Sequence, residues 1–385
     1  MKPVVRAKPS EVAKLAAVSR IEGGAVKLPA EAEQPQPNQF LEHIYTGAEL
    51  EKIPPTSWLL RQKMPHGALV ALYCEPGGGK SMAAIDFGIS AALGESWWGE
   101  KLPACKVLYI AAERYAEVAD RVLTNCTRRG VPREKLQGFS LLASPTPPHI
   151  SESLDDLLEV AAKFAPDLII FDTFARMTLG IEENSTKDMG QVIENYLRVL
   201  RAAGAKSSGL LIHHAGKDRS KGLRGSTALL GALDAVWRLD RREDKSLELV
   251  VEKINAADTP LPAYFTIEGV AMPDLETPGE MRSVGVLVAK DYAQVAQGIE
   301  GKLLAIMCEL YSEGATLAKL GKAYNDEHPP AAKDAKGTSE NQLRRALTRL
   351  RNARPALVEM HGGAQNSLYK PTAHALEKYQ EAQAN

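Results

Sequence analysis

A glycine-rich run followed by lysine and serine is the group of residues best suited to chemistry. Residues 72–81 have the sequence Leu-Tyr-Cys-Glu-Pro-Gly-Gly-Gly-Lys-Ser, between an apolar run and a stretch typical of an apolar helix. Successive backbone N–H groups in such a turn, together with the positive end of the following helix, can cradle a polyphosphate. The spacing places Lys80 at the β- and γ-phosphates of ATP and Ser81 at a Mg²⁺ ion. The predicted nucleotide-binding residues are Glu75, Pro76, Gly77, Gly78, Gly79, Lys80, Ser81 and Met82.

The loop departs from the usual pattern at its first position, where Cys74 replaces glycine. A backbone angle normally left to glycine must then be adopted by a residue with a side chain, while Gly77–Gly79 keep the loop permissive. The alternative interpretation is a turn that only links a strand to a helix. Partition-type ATPases are a nearer alternative, but they would carry a second lysine where this chain has Glu75.

Polar side chains follow three further apolar runs. Glu113 follows residues 109–112, Asp172 follows 168–171, and the pair His213-His214 follows 209–212. The carboxyl ends of parallel strands share one edge of a sheet, where ligands bind. There Glu113 can orient and activate water, and Asp172 can bind Mg²⁺. The histidines are candidates to contact the γ-phosphate; otherwise they are structural, and no Cys or His partner nearby supports a zinc site.

The segment that follows the histidines is basic. Residues 215–225 have a local charge of +3 and three glycines. Such a segment attracts a nucleic-acid backbone at low salt, although a solvated loop is the alternative. Its cationic side chains are Lys217, Arg219, Lys221 and Arg224.

The elements that must position these groups alternate between apolar runs and amphipathic stretches. Runs at 68–73, 107–110, 168–171 and 209–212 predict strands buried on both faces, and helices are expected near 82–93, 115–129, 151–164 and 187–203. The fold class is therefore α/β, with a mostly parallel sheet covered by helices on both faces. Runs at 235–239, 247–253 and 264–268 predict an antiparallel extension.

The domain organisation follows from the same patterns. We expect a mobile N-terminal arm at 1–50, an α/β domain at 51–290, a linker near 291–298 and a smaller domain at 300–373. Three helices followed by a hairpin in the smaller domain suggest a winged helix-turn-helix. Residues 374–385 are expected to be a C-terminal tail.

Composition limits the possible settings without indicating an activity. The 385 residues carry 47 Lys plus Arg against 48 Asp plus Glu, so any nucleic-acid contact must come from local patches. Four widely spaced cysteines fit neither a zinc site nor a secreted disulfide framework. The absence of a long apolar run predicts no membrane contact, and a reducing cytoplasm is the expected location.

Taken together, the motifs over about 55–270 resemble those of the RecA-type ATPases, and within them the hexameric replicative helicases of plasmids, the RepA type. The resemblance is carried by the phosphate loop, the acidic strand ends, and several shorter matches. These are Cys74–Ser81, Tyr109–Glu113, Ile170–Thr173, residues 180–184 and 189–193, His213–Lys217, Arg224–Thr227 and Glu252–Asn255.

The resemblance implies ATP and Mg²⁺ as cofactors and a homo-hexamer acting on single-stranded DNA. It implies that Lys80 and Ser81 contact the nucleotide and the metal, with Asp172 on Mg²⁺, and that Glu113 activates water. It also implies His214, with His213, as the γ-phosphate sensor. Segments 174–187 and 215–225 would face the DNA, which makes Arg176 a DNA-binding candidate together with Lys217, Arg219 and Lys221.

The arginine finger of such rings is not evident. The residue aligned with it is Asp234, so Arg238 and Lys253 are the candidates for a cation donated across the subunit boundary.

The C-terminal domain lies outside the resemblance. Residues 339–354 carry a local charge of +4, and Arg345 and Arg349 lie largely away from the leucine stripe of the predicted helix. This helix could enter the major groove of duplex DNA, bind a protein partner or help to close a ring.

The sequence therefore predicts an ATP-dependent helicase that forms rings on single-stranded DNA during replication of a plasmid, phage or similar element. One alternative is a RecA-fold switch that regulates a partner without unwinding. Another is a replication initiator or repressor that binds duplex DNA through its C-terminal domain.

Overall fold

The computed structural model describes residues 43–144, 148–182, 185–215, 223, 227–242, 245–274, 277, 279–290, 298–329, 337–353, 356–362 and 367–384. The chain divides into two compact units, Met1–Pro54 and Pro55–Asn385. The described part of the first unit contains a 3-10 helix at Gly47–Lys52, begun by a capping box between Thr46 and Glu49. Residues 1–42 of the predicted arm lie outside the described residues.

The second unit alternates strands and helices. Its strands are β1 (Trp58–Leu60), β2 (Met64–Pro65), β3 (Leu69–Cys74), β4 (Ser96–Trp97), β5 (Glu100–Lys101), β6 (Val107–Ala111), β7 (Phe139–Ala143), β8 (Leu168–Asp172), β9 (Ser208–His214), β10 (Ala235–Arg241), β11 (Leu247–Ile254), β12 (Ala263–Pro273), β13 (Met281–Lys290), β14 (Ala315–Thr316), β15 (Val358–His361) and β16 (Leu368–Pro371). Its helices are α1 (Lys80–Leu93), α2 (Tyr115–Arg129), α3 (Leu154–Phe164), α4 (Phe174–Met177), α5 (Thr186–Ala203), α6 (Thr227–Ala232), α7 (Gly298–Leu310), α8 (Leu317–Glu327), α9 (Glu340–Asn352) and α10 (Ala373–Ala384). A 3-10 helix spans Arg133–Lys135.

A nine-stranded sheet forms the centre of the second unit. Its order is β13-β12-β11-β10-β3-β9-β8-β6-β7. The pairs from β10 to β7 are all parallel, and those from β10 to β13 are antiparallel. The predicted fold class is confirmed, because the mostly parallel sheet carries helices on both faces. One strand, β9, separates the strand before the phosphate loop from the strand that ends at Asp172.

The two faces of the sheet are buried in separate cores. Alternate residues of β3 divide between them: Val70, Leu72 and Cys74 pack toward α1 and α2, whereas Leu69, Ala71 and Tyr73 pack toward α3 and α5. Strands buried on both sides must be apolar at every position. This requirement explains why the polar residues come only where the strands end.

Several boundaries differ from those expected from sequence. The edge strand β7 is only partly buried and has a weak apolar pattern, and β13 alternates around Gly285, so neither was predicted. Strand β12 extends beyond the predicted 264–268, because β13 pairs with its whole length. Gly298, placed in the linker, begins α7.

The hairpin of β12 and β13 packs against α1, which begins at the phosphate loop, and against α2. Arg282 on β13 donates two hydrogen bonds to Asp120 on α2, at 2.8 and 2.5 Å. Arg128 on α2 pairs with Glu268 on β12 at 3.5 Å. Between these contacts Gly285 lies against Met82, since a Cβ at Gly285 would be 3.8 Å from the Met82 sulfur. The antiparallel extension is therefore attached to the first turn of α1.

The C-terminal part of the second unit has its own hydrophobic core. It contains α7, α8 and α9 and a three-stranded sheet of order β14-β16-β15, and Leu261 from the segment before β12 packs into its core. The expected three helices and hairpin are present, while the winged-helix interpretation stays a prediction. The predicted tail forms α10, because Ala375 is buried against this core and the Tyr379 hydroxyl donates to Glu309.

No described helix combines the length and the apolar character that a membrane span requires.

Candidate functional site

The phosphate loop connects β3 to α1 with two glycines in the left-handed region. Gly77 has φ 75° and Gly79 has φ 96°, a conformation that side chains disfavour. Gly79 is the N-cap of α1 and forms no side-chain cap, so the first N–H groups of the helix are not engaged by a capping side chain. These groups and the helix dipole favour an anion at this position.

Cys74 does not adopt the backbone conformation expected for the first position of the loop. It ends β3, and the described non-glycine residues with positive φ do not include it. A glycine angle is therefore not needed at position 74. Its side chain instead fills the space beneath the loop: a Cβ placed on Gly78 would lie 2.5 Å from the Cys74 sulfur. Glycine is therefore required at position 78, where a side chain would collide with Cys74, and not at position 74.

Lys80 is buried below the loop, with 6% of its surface exposed. Its ammonium donates to the carbonyl oxygens of Cys74 at 3.5 Å and Glu75 at 3.3 Å. It also lies 3.3 Å from Nδ1 of His214. Because an ammonium group only donates, Nδ1 of His214 accepts, and the ring is the neutral tautomer with its proton on Nε2.

Asp172 ends β8 at the same edge of the sheet and is 4% exposed. The fully buried Tyr109 on β6 donates its hydroxyl to Oδ2 at 2.5 Å. The other oxygen, Oδ1, is buried with no hydrogen-bond partner within the described part of the chain. Burial raises the pKa of Asp172, and the hydroxyls of Tyr109 and Ser81 oppose this rise. A bound cation would satisfy the remaining oxygen.

These residues fit a Mg²⁺ ion. Mg²⁺ takes oxygen ligands and is usually held by one or two carboxylates together with substrate phosphates. The Asp172 oxygen without a partner and the nearby Ser81 hydroxyl provide such ligands. Among the described residues there is no group of three or more His, Cys, Asp and Glu side chains suited to a metal.

Glu113 lies just beyond the end of β6, near Asp172. The two strands pair with Ala111 opposite Asp172, so Glu113 follows at the same edge. Its Oε2 accepts a hydrogen bond of 3.0 Å from Nε of Arg176 on α4. Arg176, predicted as a DNA contact, is thus paired with the predicted water-activating carboxylate. No pattern of residue types or spacing signals this pair.

The two histidines at the end of β9 are separated by the sheet. His214 faces Lys80, whereas His213 is 1% exposed and packs against Phe174 with ring centres 4.6 Å apart. Nδ1 of His213 accepts the backbone N–H of His214 at 2.8 Å. The expectation that His213 shares the sensor role is corrected: adjacent strand residues point to opposite faces, so only His214 reaches the loop.

Both candidates for a trans-acting cation are engaged within their own chain. Lys253 donates to the carbonyls of Leu230 and Leu233 at 2.6 and 2.7 Å, at the end of α6. Arg238 pairs with Asp240. Asp234, which aligns with the arginine finger, accepts the Leu69 N–H at 2.9 Å and so joins β10 to β3. The arrangement assigns an arginine finger to none of these three residues.

The remaining predicted DNA contacts lie in two parts of the chain. Lys217, Arg219, Lys221 and Arg224 lie outside the described residues. On α9, Arg345 is exposed, but Arg349 pairs with Glu300 on α7. Arg349 also lines a cavity of 340 Å³ between the sheet domain and the C-terminal domain. The expectation of a free basic face is corrected for Arg349, because α9 turns that side toward the rest of the unit.

Fold and site together define an α/β domain with a glycine-rich phosphate-binding loop at the carboxyl edge of its parallel strands. A family model described as an AAA domain matches residues 34–220, slightly less than half of the chain. No curated protein matches the chain.

Two solved structures are similar at low sequence identity. One is a KaiC-like protein of the hyperthermophilic archaeon Pyrococcus horikoshii OT3, with 14% identity, a TM-score of 0.39, and coverage of 55% of this chain and 90% of that one. The other is the RadB recombinase, with 18% identity, a TM-score of 0.38, and coverage of 53% and 88%.

The contact beneath the loop predicts a coupled pair of substitutions. Gly78→Ala should weaken ATP binding at least about tenfold, because the new methyl group meets the Cys74 sulfur and displaces the loop. Cys74→Gly removes the sulfur, so the double variant should regain most of the affinity, measured with a fluorescent ATP analogue. Gly190→Ala on α5, where a Cβ meets open space, is the matched control. A double variant as weak as Gly78→Ala alone would refute the explanation.

The Tyr109 hydroxyl predicts a change in metal dependence. Tyr109→Phe leaves the second Asp172 oxygen without its donor, so the Mg²⁺ concentration for half-maximal ATP binding should rise about tenfold. Titration of the fluorescent analogue with Mg²⁺ measures this. Tyr196→Phe is the control, because its buried hydroxyl has no hydrogen-bond partner within the described chain. Equal Mg²⁺ dependence in Tyr109→Phe and wild type would contradict the prediction.

Proposed function

We propose that this chain hydrolyses ATP with Mg²⁺ and uses the energy to move along single-stranded DNA as a ring-forming helicase. One observation supports the ATPase activity. A single edge of the sheet holds the buried Lys80 below a glycine-rich loop, with the carboxylates of Asp172 and Glu113 beside it. Lys80 donates to two carbonyl oxygens and lies against the His214 imidazole, and no ion pair to its ammonium is present among the described residues. A triphosphate supplies the missing negative charge.

In this proposal each group has a distinct role. The N–H groups of the loop and the Lys80 ammonium would bind the phosphates, and Ser81 and Asp172 would hold Mg²⁺, which would supply positive charge beside the phosphate oxygens. Glu113 orients a water molecule and accepts its proton. The water oxygen bonds to the γ-phosphorus as the bond to the bridging oxygen breaks, giving ADP and inorganic phosphate.

His214 links the nucleotide to the segment that follows β9. Its Nδ1 lies 3.3 Å from the Lys80 ammonium, and a γ-phosphate would draw that ammonium toward itself. His214 would then exchange a contact with lysine for one with phosphate, and loss of phosphate would reverse the change. The next residues are the basic segment 215–225, so a shift of His214 is transmitted to the predicted DNA contacts.

The DNA part of the proposal is supported by charge and placement. Arg176 is half exposed on α4, directly after the strand that ends at Asp172, and the basic segment 215–225 follows β9 in the sequence. An exposed cation such as Arg176 beside a catalytic edge suits a phosphodiester backbone passing over it. A hexamer is proposed from the sequence resemblance, and particle mass with and without ATP measures it.

Two substitutions test the assigned roles. Lys80→Ala should lower the ATPase kcat/KM more than about a hundredfold, because the phosphate charge loses its buried partner. Glu113→Gln should bind ATP normally and lower kcat about a hundredfold or more, because an amide cannot accept the proton. Lys163→Ala and Glu159→Gln, an exposed pair on α3, are matched controls. Rates near wild type in Lys80→Ala or Glu113→Gln would refute that role.

The same proteins separate a helicase from an ATPase switch. Wild type should displace a labelled strand from a forked DNA duplex in an ATP-dependent reaction, and Glu113→Gln should not. A wild-type protein that hydrolyses ATP and leaves the fork intact would contradict the helicase and favour the switch.

A further inference from the structure

The pair between Arg176 and Glu113 is the starting point, because it joins the hydrolysis site to an exposed cation. Arg176 Nε donates to Glu113 Oε2 at 3.0 Å. The side chains retain 50% and 34% of their exposure. No other ion pair of Glu113 is present within the described part of the chain. One oxygen of the proposed water-activating group therefore accepts a hydrogen bond from Arg176.

The two residues lie just beyond the ends of two neighbouring strands, β6 and β8. Glu113 follows β6, and Arg176 lies on the four-residue helix α4, one turn after Asp172. The neighbours of Arg176 on α4, Phe174 and Met177, are both fully buried. The side chain of Arg176 is thus exposed while its helix is held in place by two buried side chains. Its guanidinium can leave Glu113 without unfolding α4.

We propose that Arg176 restrains Glu113 in a resting position, and that phosphate groups of single-stranded DNA compete for the guanidinium and release Glu113 to orient water. This inference rests on the proposed function and adds the means by which DNA would control hydrolysis. Arg176 acts through Glu113 and is a regulatory positioning residue.

The chemistry favours such an exchange. A half-exposed ion pair is weak and is screened by salt, so a competing anion can displace it. Guanidinium binds phosphate with two parallel hydrogen bonds, whereas only Nε holds Glu113 here. A backbone that presents several phosphates in a row raises the local concentration of phosphate, which makes the competition more favourable.

The opposite role would also use this contact, and it predicts the opposite result. If Arg176 holds Glu113 in its working position, then removing Arg176 lowers hydrolysis without DNA. If Arg176 restrains Glu113, then its removal raises that basal rate. The sign of the change in basal rate separates the two roles.

The chain offers a matched control beside Glu113. Arg114 precedes α2 and pairs with Glu117 at 3.8 Å, with 72% and 53% of the two side chains exposed. Arg114→Ala removes the same charge one residue away from Glu113 without touching its carboxylate. A general effect of positive charge on ATP or DNA binding would appear in both variants.

The experiment measures ATPase rates of the full chain with and without poly(dT), using wild type, Arg176→Ala and Arg114→Ala. Arg176→Ala should raise the basal rate about fivefold, the scale of a weak exposed ion pair, and poly(dT) should stimulate it little further. Arg114→Ala should match wild type in both rates. A basal rate in Arg176→Ala that is equal to or below wild type would overturn the inference.

A conservative substitution and the salt dependence of DNA binding test the two parts of the proposal, the restraint of Glu113 and the contact with phosphate. Arg176→Lys retains the charge and shortens the reach, so its basal rate should fall between those of wild type and Arg176→Ala. Binding of poly(dT) across a range of salt should show a slope smaller by about 0.7 in Arg176→Ala, as expected for one lost phosphate contact to a single strand. An unchanged slope would overturn the phosphate contact.

Glu113→Gln separates failure of this inference from failure of the proposed function. If Glu113→Gln hydrolyses ATP like wild type, or poly(dT) does not stimulate wild type, the proposed function itself is wrong. If Glu113→Gln is inactive and Arg176→Ala behaves like Arg114→Ala, only the restraint by Arg176 is wrong.

Discussion

The buried ammonium of Lys80 is the constraint on which the site depends. A charge removed from water is costly unless an opposite charge or good hydrogen bonds compensate it, and here two backbone carbonyls and one imidazole do so at 3.3–3.5 Å. Within the described chain no ion pair joins Lys80 to Asp172, although Lys80 is close enough to oppose the rise that burial causes in the pKa of Asp172. The buried cation and the Asp172 oxygen without a hydrogen-bond partner are therefore only partly compensated. A phosphate with its metal ion complements both at once.

Much of this arrangement could be predicted from the sequence, because strands buried on both faces leave a strong pattern. Their apolar runs end abruptly in polar residues, and the parallel topology then places Lys80, Asp172 and Glu113 at one edge. Strands with less burial could not be found in this way. The edge strand β7 has one neighbour in the sheet, and β13 carries a glycine at its centre, so neither shows a clear run.

Side-chain partners were harder to predict than elements. The period of two along a strand would have separated His213 from His214, but the pairing of Arg176 with Glu113 depends on the turn of α4 after Asp172. Lys253 and Asp234 serve as local hydrogen-bond partners of the backbone, a role that does not show in residue type or spacing. Arg349 pairs with Glu300 because α9 packs beside α7. Helical periodicity alone does not predict which helix lies next to a given face.

The hairpin that crosses α1 has a mechanical consequence. Strand β13 carries Gly285 against Met82, the residue after Ser81, and its last residue, Lys290, is eight positions before Gly298, where the C-terminal domain begins. Ten backbone pairs hold β13 to β12, which stiffens the hairpin along its length. A displacement of β13 would therefore press on the first turn of α1, where the phosphate loop ends.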